Sequence, residues 1–408
     1  MKKLLALLLV AVMLISLAAC GEKKPAPGTD TTITEPVSDD GNTTPEQTTA
    51  DEGGNTPAPG NQYIFTNEDK VIDLYLIAGQ SNAVGYTKFT DTAAAYEFAP
   101  ELENGFSNVL IAGKVRFDKG SSYESRRFIW QPVKLGFGAY DANYSGPEAG
   151  MAKALSQEYN AESGKTAGII KFGHGGTSLL NKTTGSNQFG NWVSPSYARS
   201  IGVAYTGATG GLYRGFLEEI ESQLKALAES GYTNVNIKGL YWMQGESDRA
   251  DSATYADAFK AFVKDLRNDL SEMLMEMTGA DDRGASAMPV FVGTISKTFN
   301  LTSADMQTVN QTFIATQNGL PGKITDCFVI DNSGFAISQW NAGENKTEVL
   351  GYDQWHWKQA DVLTIGENVG KAMLRQQGVS VPDPVDPQAK PGLTAKESGE
   401  AMVWDLLG

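Results

Sequence analysis

The chain has 408 residues, 41% of them hydrophobic, and its 48 acidic against 33 basic residues give a net charge of −15 at pH 7. The hydrophobic content is enough for a sizeable core, which excludes disorder over the whole chain, and the acidic charge argues against binding to nucleic acid. Two cysteines exclude a disulfide-stapled scaffold and a zinc–cysteine cluster. Two histidines, His174 and His356, are the imidazoles on which any histidine-based mechanism must draw.

The N-terminal residues have the pattern of an export signal. Residues 1–19 combine a basic start with an apolar run that is too short to span a bilayer. The small residues before Cys20 resemble the lipobox of bacterial lipoproteins, in which the cysteine is acylated. This resemblance implies a lipid anchor on Cys20 and a place at the bacterial cell surface, on the extracytoplasmic side of a membrane. An ordinary secretory signal is the alternative.

Two stretches of low hydrophobicity flank the predicted folded domain, which covers residues 62–376. Residues 20–61 are rich in threonine, proline and acidic side chains and contain no aromatic residue, so they are expected to form a disordered tether. Residues 377–408 contain closely spaced prolines from Pro382 onward, which break helices, and are expected to form a loose tail.

Within the folded domain, β-rich runs alternate with stretches at helical spacing. The pattern predicts strands over residues 71–78, 167–172, 235–243, 289–293 and 327–330. It predicts helices over residues 147–159, 212–230, 255–274, 306–317 and 359–375. This alternation indicates a three-layer α/β fold with a mostly parallel, doubly wound sheet. Ligands bind at the carboxyl ends of the strands in such sheets, so polar motifs at those ends are candidates for the site.

The first two strands each run into such a motif. The first continues into Gly-Gln-Ser-Asn at residues 79–82, where Ser81 is well placed to act as a nucleophile, although a plain turn is the alternative. The second ends in Gly-His-Gly-Gly-Thr-Ser at residues 173–178. Consecutive glycines let backbone N–H groups approach an anion, as in an oxyanion hole, and a tight turn before a helix is the alternative.

The third strand ends in three polar side chains, Gln244, Glu246 and Asp248. Such groups are costly at the end of a buried strand unless they are hydrogen-bonded or functional. The Gln244 carboxamide can donate to an oxyanion. Glu246 and Asp248 could instead be the paired carboxylates of a glycoside hydrolase, but two acids this close in sequence rarely flank a sugar.

An acid–histidine pair precedes the closing helix. The three-residue spacing of Asp353 and His356 lets the carboxylate accept from the imidazole Nδ1–H and leaves Nε2 free to face a nucleophile. His174 is the rival base, but no acidic residue lies near it in sequence, and we expect it to bond locally or to line the pocket. No metal or other cofactor is expected, because two separated histidines without clustered acids make a poor metal site.

Together these motifs resemble the SGNH-hydrolase superfamily, in the branch of sialate O-acetylesterases and carbohydrate esterase family 6 acetylxylan esterases. The matching stretches are residues 77–83, 146–148, 175–178 and 244–248, and the pair Asp353 and His356. The resemblance implies that Ser81 is the nucleophile, His356 its general base and Asp353 the orienting carboxylate. It implies an oxyanion hole formed by the backbone N–H groups of Ser81 and Gly176 and the side chain of Gln244. It also implies that Glu246 and Asp248 hold their loop.

The implied activity is removal of O-acetyl groups from carbohydrate through an acyl-enzyme. Acetylxylan or a related glycan is the first choice of substrate and O-acetyl sialate the second, while a non-enzymatic sugar-binding lipoprotein is the competing class. Residues 85–144 and 181–214 exceed a minimal core and are expected to shape the substrate cleft. Several tryptophans offer faces suited to sugar rings: Trp130, Trp192, Trp242, Trp340, Trp355 and Trp357.

Overall fold

The computed structural model describes residue 65 and residues 70–119, 122–182, 189–300, 303–335, 337 and 355–385. The predicted signal, Cys20, the tether, most of the tail and Asp353 lie outside these ranges, so the expectations about them stay predictions. Across the described ranges, no helix has both the length and the apolar character needed to cross a membrane.

Strands and helices alternate along the described chain. The strands are β1 (Val71–Gly79), β2 (Thr87–Lys88), β3 (Phe106–Lys119), β4 (Ser122–Val133), β5 (Tyr144–Ser145), β6 (Ala167–His174), β7 (Asn234–Met243), β8 (Val290–Gly293) and β9 (Cys327–Ile330). The α-helices are α1 (Ser81–Val84), α2 (Thr92–Phe98), α3 (Glu101–Asn104), α4 (Glu148–Leu155), α5 (Pro195–Ser200), α6 (Gly211–Glu229), α7 (Ser252–Thr278), α8 (Ala304–Asn318) and α9 (Gln359–Gln376). The five predicted strands and five predicted helices are all present, with ends that differ by a few residues.

The central sheet has seven strands in the order β4-β3-β6-β1-β7-β8-β9. Every neighbouring pair is parallel except β3 and β4, which form an antiparallel hairpin at one edge. The prediction of a mostly parallel, doubly wound sheet is therefore confirmed. The chain builds outward from β1 first on the β6 side and later on the β7 side, and such a reversal of strand order opens a crevice at the carboxyl ends of the strands.

The helices cover the sheet because their apolar residues recur at helical spacing. In α6, residues Leu212, Phe216, Ile220, Leu224 and Leu227 are fully buried, and this stripe faces the core. Aromatic rings fill the layer beneath α6 and α7; they are Phe172, Trp192, Phe216, Trp242, Phe259 and Phe262.

The β3–β4 hairpin is the main element that the sequence patterns did not predict. It lies inside residues 85–144, which were expected only to shape the cleft. Strand β3 pairs with β6 from Val109 opposite Ala167 up to Arg116 opposite His174, so its far end reaches the carboxyl end of the sheet. Much of β4 is exposed and polar, as edge strands often are, which hides the alternation that would reveal a strand.

Candidate active site

A cavity of about 580 Å³ opens at the carboxyl ends of the central strands. Its walls come from the loops after β1, β6 and β7, from the far end of the β3–β4 hairpin, and from the segment before α9. Ser81, Gly176, Glu246 and His356 all line it, so residues 275 positions apart in the chain meet in one cavity. Gln244 and Asp248 are fully buried and are not among the lining residues. Asp353 is outside the described residues.

The end of β1 places Ser81 through a close backbone approach. Gly79 has φ +144°, and a Cβ atom there would lie 2.0 Å from the carbonyl oxygen of Met243, so only glycine fits. The backbone N–H of Gln80 donates to the same Met243 oxygen at 3.0 Å. The chain then enters α1, and Ser81 begins this short helix with 8% of its surface exposed. These contacts thus fix the backbone that carries Ser81 at the cavity.

The glycine-rich turn after β6 brings a second backbone group to the cavity. A Cβ atom on Gly175 would lie 2.4 Å from Tyr86 Oη, so the turn fits under the tyrosine only because it lacks a side chain there. Within the described ranges, the N–H groups of Ser81 and Gly176 are not used by backbone or side-chain acceptors. Two such donors on one cavity are suited to a developing oxyanion.

Gln244 lies differently from the prediction that it donates to the oxyanion. Its Nε2 donates to the carbonyl oxygen of Thr177 at 3.1 Å and to Asp248 Oδ2 at 2.7 Å. Because both neighbours can only accept, the amide orientation is determined and both of its N–H bonds are engaged away from the cavity. The side chain therefore joins the loop after β7 to the glycine-rich turn and does not supply a third oxyanion donor in this structure.

Asp248 links the same two loops. Its carboxylate accepts from Ser178 Oγ at 2.5 Å, from the backbone N–H of Leu179 at 2.7 Å and from Gln244 Nε2. Lys182 Nζ lies 3.3 Å from Asp248 Oδ1. Three donors and a cation converge on this one buried carboxylate, and these contacts fix the turn that carries Gly176.

Glu246 lines the cavity, a position that a residue would not need if it only held its own loop. Its Oε1 accepts from Asn82 Nδ2 at 2.6 Å, and the same amide donates to the carbonyl oxygen of Trp355 at 3.3 Å. Its Oε2 is buried and has no hydrogen-bond partner among the described residues. Burial raises the pKa of Glu246, while the Asn82 bond and the nearby charges of His356 and Arg249 act in the opposite direction. The structure thus brings the Glu246 carboxylate close to His356.

His174, the rival base, lies behind the wall. It is fully buried, does not line the cavity, and neither ring nitrogen has a hydrogen-bond partner among the described residues. Its Nε2 is 3.9 Å from Asp118 Oδ1. Burial, followed by the charge of Arg116, lowers the pKa of His174 to about 4, so the ring is neutral at pH 7. This position separates His174 from Ser81 and leaves His356 as the imidazole in the cavity.

The cavity also contains groups for which the sequence motifs indicated no catalytic role. Arg249 donates from Nη1 to the carbonyl oxygen of Glu246 at 2.7 Å, and its guanidinium carbon is 4.9 Å from the centre of the Phe299 ring. Of the tryptophans, Trp355 is 44% exposed and lines the cavity, whereas Trp192, Trp242 and Trp357 belong to the core. The remaining lining includes Asp118 and three tyrosines, Tyr86, Tyr140 and Tyr144.

Several solved structures are similar to this chain. NanS aligns at 14% identity over 76% of this chain and 98% of its own, with a TM-score of 0.47. A protein from Arabidopsis thaliana aligns at 17% identity over 74% of this chain and 98% of its own, with a TM-score of 0.45. A carbohydrate acetylesterase from Xanthomonas citri aligns at 14% identity over 74% of this chain and 56% of its own, with a TM-score of 0.43. No curated protein matches the chain significantly.

The sequence also matches a family model, and the match covers nearly the whole described fold. The model is that of the family "Carbohydrate esterase, sialic acid-specific acetylesterase", and it matches residues 71–375. The matched range includes every strand of the central sheet and all the described residues that line the cavity. The chain therefore belongs to the carbohydrate esterase family of sialic acid-specific acetylesterases and is a carboxylic ester hydrolase with acetylesterase activity.

Proposed function

We propose that the protein removes O-acetyl groups from carbohydrate through a covalent acyl-enzyme, with Ser81 as the nucleophile. The observation that carries this proposal is the convergence of Ser81, His356 and the backbone N–H of Gly176 on a single cavity. A hydroxyl, an imidazole and unused N–H donors are the groups that acyl transfer from an ester requires.

The proposed reaction proceeds in two half-steps. His356 takes the hydroxyl proton as Ser81 Oγ attacks the acetyl carbonyl carbon, and the resulting oxyanion accepts from the N–H groups of Ser81 and Gly176. The tetrahedral intermediate then collapses, and the sugar oxygen leaves with the proton from the imidazole. Water attacks the acetyl-Ser81 ester in the same way, with His356 again accepting the proton. Release of acetate restores the serine hydroxyl.

Two carboxylates are proposed to support His356. Asp353 is the orienting group implied by the three-residue spacing, and Glu246 adds a second negative charge beside the imidazolium that forms during attack. Replacing Asp353 by Asn is expected to lower kcat by about 10³–10⁴, as loss of an orienting carboxylate does. Glu246→Gln is expected to lower kcat by a smaller factor, because this carboxylate acts on His356 only through its charge. A larger loss for Glu246→Gln than for Asp353→Asn would reverse the two roles.

The nucleophile is tested with a fluorophosphonate probe and with acetyl ester substrates. Ser81→Ala is expected to abolish labelling and nearly all hydrolysis of p-nitrophenyl acetate. Ser247→Ala is the matched control, because this second serine also lines the cavity. The proposal fails if Ser81→Ala keeps the wild-type rate or if labelling depends on Ser247 instead.

Neutral acetylated glycans such as acetylxylan remain the first proposed substrate class, and Arg249 favours a second candidate, O-acetyl sialate. Burial lowers the pKa of the Arg249 guanidinium, and the negative charge of Glu246 opposes this effect. Its buried Nε has no hydrogen-bond partner among the described residues. A partly desolvated guanidinium in the cavity wall is suited to bind a carboxylate on the substrate.

Acetate release from acetylxylan and from O-acetyl sialosides distinguishes the two candidates. If the substrate is acidic, Arg249→Gln is expected to raise KM for the sialoside by about 10–100-fold, the usual cost of losing a charged hydrogen bond. KM for acetylxylan is expected to change far less. Equal effects on both substrates would remove the argument for a sialate.

We also propose that the enzyme is held at the extracytoplasmic face of a bacterial membrane by acyl chains on Cys20. The expectation rests on the lipobox-like residues before this cysteine. Metabolic labelling with an alkyne-bearing fatty acid is expected to mark the full chain but not Cys20→Ser, which should also leave the membrane fraction. Labelling that persists in Cys20→Ser would place the lipid elsewhere.

A further inference from the structure

Tyr140 adopts a backbone conformation that is unusual for an aromatic residue. Its φ is +53°, in the left-handed region. The non-glycine residues that share this property in the described ranges are Tyr140, Arg283, Asn300 and Asp326. Asn and Asp tolerate this region through local hydrogen bonds, whereas a bulky aromatic residue enters it only against a steric cost. Backbone strain of this kind concentrates at functional sites.

The surrounding loop is anchored so that the strained residue is held in place. Arg126 Nη1 donates to the carbonyl oxygens of Gly138 at 2.7 Å and Asp141 at 2.8 Å, and its Nη2 donates to that of Gly136 at 3.0 Å. The backbone N–H of Gly136 donates to the buried Ser145 Oγ at 2.7 Å. One arginine therefore clamps the carbonyls on both sides of Tyr140, and the loop cannot relax without breaking these bonds.

This anchoring does not serve to bury the ring. Tyr140 lines the cavity and remains 39% exposed. The neighbouring rings of Tyr86, Phe117 and Tyr144 meet it at interplanar angles of 76°, 62° and 63°, so none of these three stacks parallel upon it. Tyr86, in turn, contacts the His356 ring. An exposed aromatic ring is thus held rigidly one ring away from the imidazole of the cavity.

We infer that Tyr140 is a stacking platform for a pyranose ring of the acetylated glycan, an inference that rests on the proposed function. The C–H groups on a sugar face carry partial positive charge and pack against the electron-rich face of an aromatic ring, while the sugar hydroxyls stay solvated. A ring with few rotatable bonds on a clamped loop loses little entropy on binding. The platform selects carbohydrate esters over small acyl esters, which have no ring to place on it.

The inference is tested by comparing a sugar ester with an ester that lacks a sugar. For Tyr140→Ala, the ratio of kcat/KM for acetylated xylotriose to that for ethyl acetate, which has no ring, is expected to fall about 3–10-fold, the range of an aromatic stacking contact. The same ratio is measured with O-acetylated sialyllactose in place of xylotriose. Tyr140→Phe keeps the ring and is expected to keep the ratio. Phe328→Ala is the matched control, because Phe328 is 38% exposed but does not line the cavity.

Binding without turnover provides the second measurement. Binding is measured in the Ser81→Ala background with the oligosaccharide, of these two, that the wild type hydrolyses faster. Tyr140→Ala is expected to raise the Kd for this oligosaccharide by the same factor as it lowers the kinetic ratio. Tyr140→Gly serves as a second ring-free variant, because glycine relieves the left-handed strain and protects against a folding defect. An unchanged ratio and unchanged Kd in both ring-free variants would overturn the platform. A wild-type protein that hydrolyses neither ester would instead refute the proposed function.

Discussion

The ring of Tyr86 lies nearly parallel to the imidazole of His356, with ring centres 4.8 Å apart and planes 26° from each other. Tyr86 is itself fixed, because its hydroxyl accepts from the backbone N–H of Asp118 at 3.3 Å and its edge meets Gly175 and Tyr140. One ring therefore joins His356, the glycine-rich turn and the β3–β4 hairpin. We infer that Tyr86 is a positioning residue for His356, the proposed general base.

Removing this stack is expected to slow the chemistry rather than substrate binding. For Tyr86→Leu we expect kcat on p-nitrophenyl acetate to fall about tenfold, since a misoriented base costs rate even when it is present. Tyr86→Phe keeps the stacking face and is expected to recover most of the rate. Steady-state kinetics on both variants provide the measurement. A rise in KM at unchanged kcat would show that Tyr86 contacts substrate instead of positioning the imidazole.

The buried carboxyl of Glu246 predicts a stability effect that depends on pH. Burial raises the pKa of Glu246 in the folded protein, so the unfolded chain releases this proton at a lower pH than the folded protein does. The free energy of unfolding therefore decreases as pH rises above the pKa of a glutamate in the unfolded chain, which is about 4.3. The Glu246→Gln variant lacks this effect. The difference in unfolding free energy between the variant and the wild type is therefore expected to shift in favour of the variant as pH increases from 4 to 8. Urea denaturation across this range is the measurement. A constant difference would mean that the pKa of Glu246 is not raised.

His174 predicts a pH dependence with the opposite sign. In the unfolded chain His174 is protonated below about pH 6.5, whereas in the folded protein its pKa is lowered to about 4. The free energy of unfolding therefore decreases as pH falls from the first value to the second. The loss should reach about 3 kcal/mol at the acidic end. His174→Phe, which fits among the rings of Tyr123 and Phe189, is expected to lack this slope. The same slope in the variant would exclude His174 as its source.

A fully buried ion pair supports the loop that carries Tyr140. Lys171 Nζ contacts Glu148 Oε2 at 2.6 Å with both side chains completely buried, and it also donates to the carbonyl oxygen of Phe137 at 2.9 Å. Lys171→Met leaves an unpaired carboxylate and is expected to cost about 3–5 kcal/mol of unfolding free energy. Adding Glu148→Gln removes that charge but keeps an acceptor for the N–H of Gly146, and it should restore part of the loss. Additive losses in the double variant would contradict this coupling.

Much of the fold and part of the site followed from local patterns. Hydrophobic runs alternating with helical spacing were sufficient for the parallel sheet, and because parallel strands end on one edge, Ser81, Gly176 and His356 could be expected to meet there. The hairpin over residues 106–133 escaped prediction because its edge strand is largely exposed and its polar residues interrupt the alternation. The role of Tyr140 was not predicted, because no local sequence pattern indicates an exposed aromatic ring with a strained backbone.

The amino-acid sequence by itself determined which chemical groups stand at the strand ends, since that depends on residue order and strand periodicity alone. Only the tertiary structure decided which way these groups face. Gln244 turns to Thr177 and Asp248 because two acceptors lie within reach of its amide, and Glu246 lies near His356 because Asn82 bridges it to the segment before α9. Such orientations depend on hydrogen-bond partners distant in the chain, and these partners become neighbours only when the sheet has assembled.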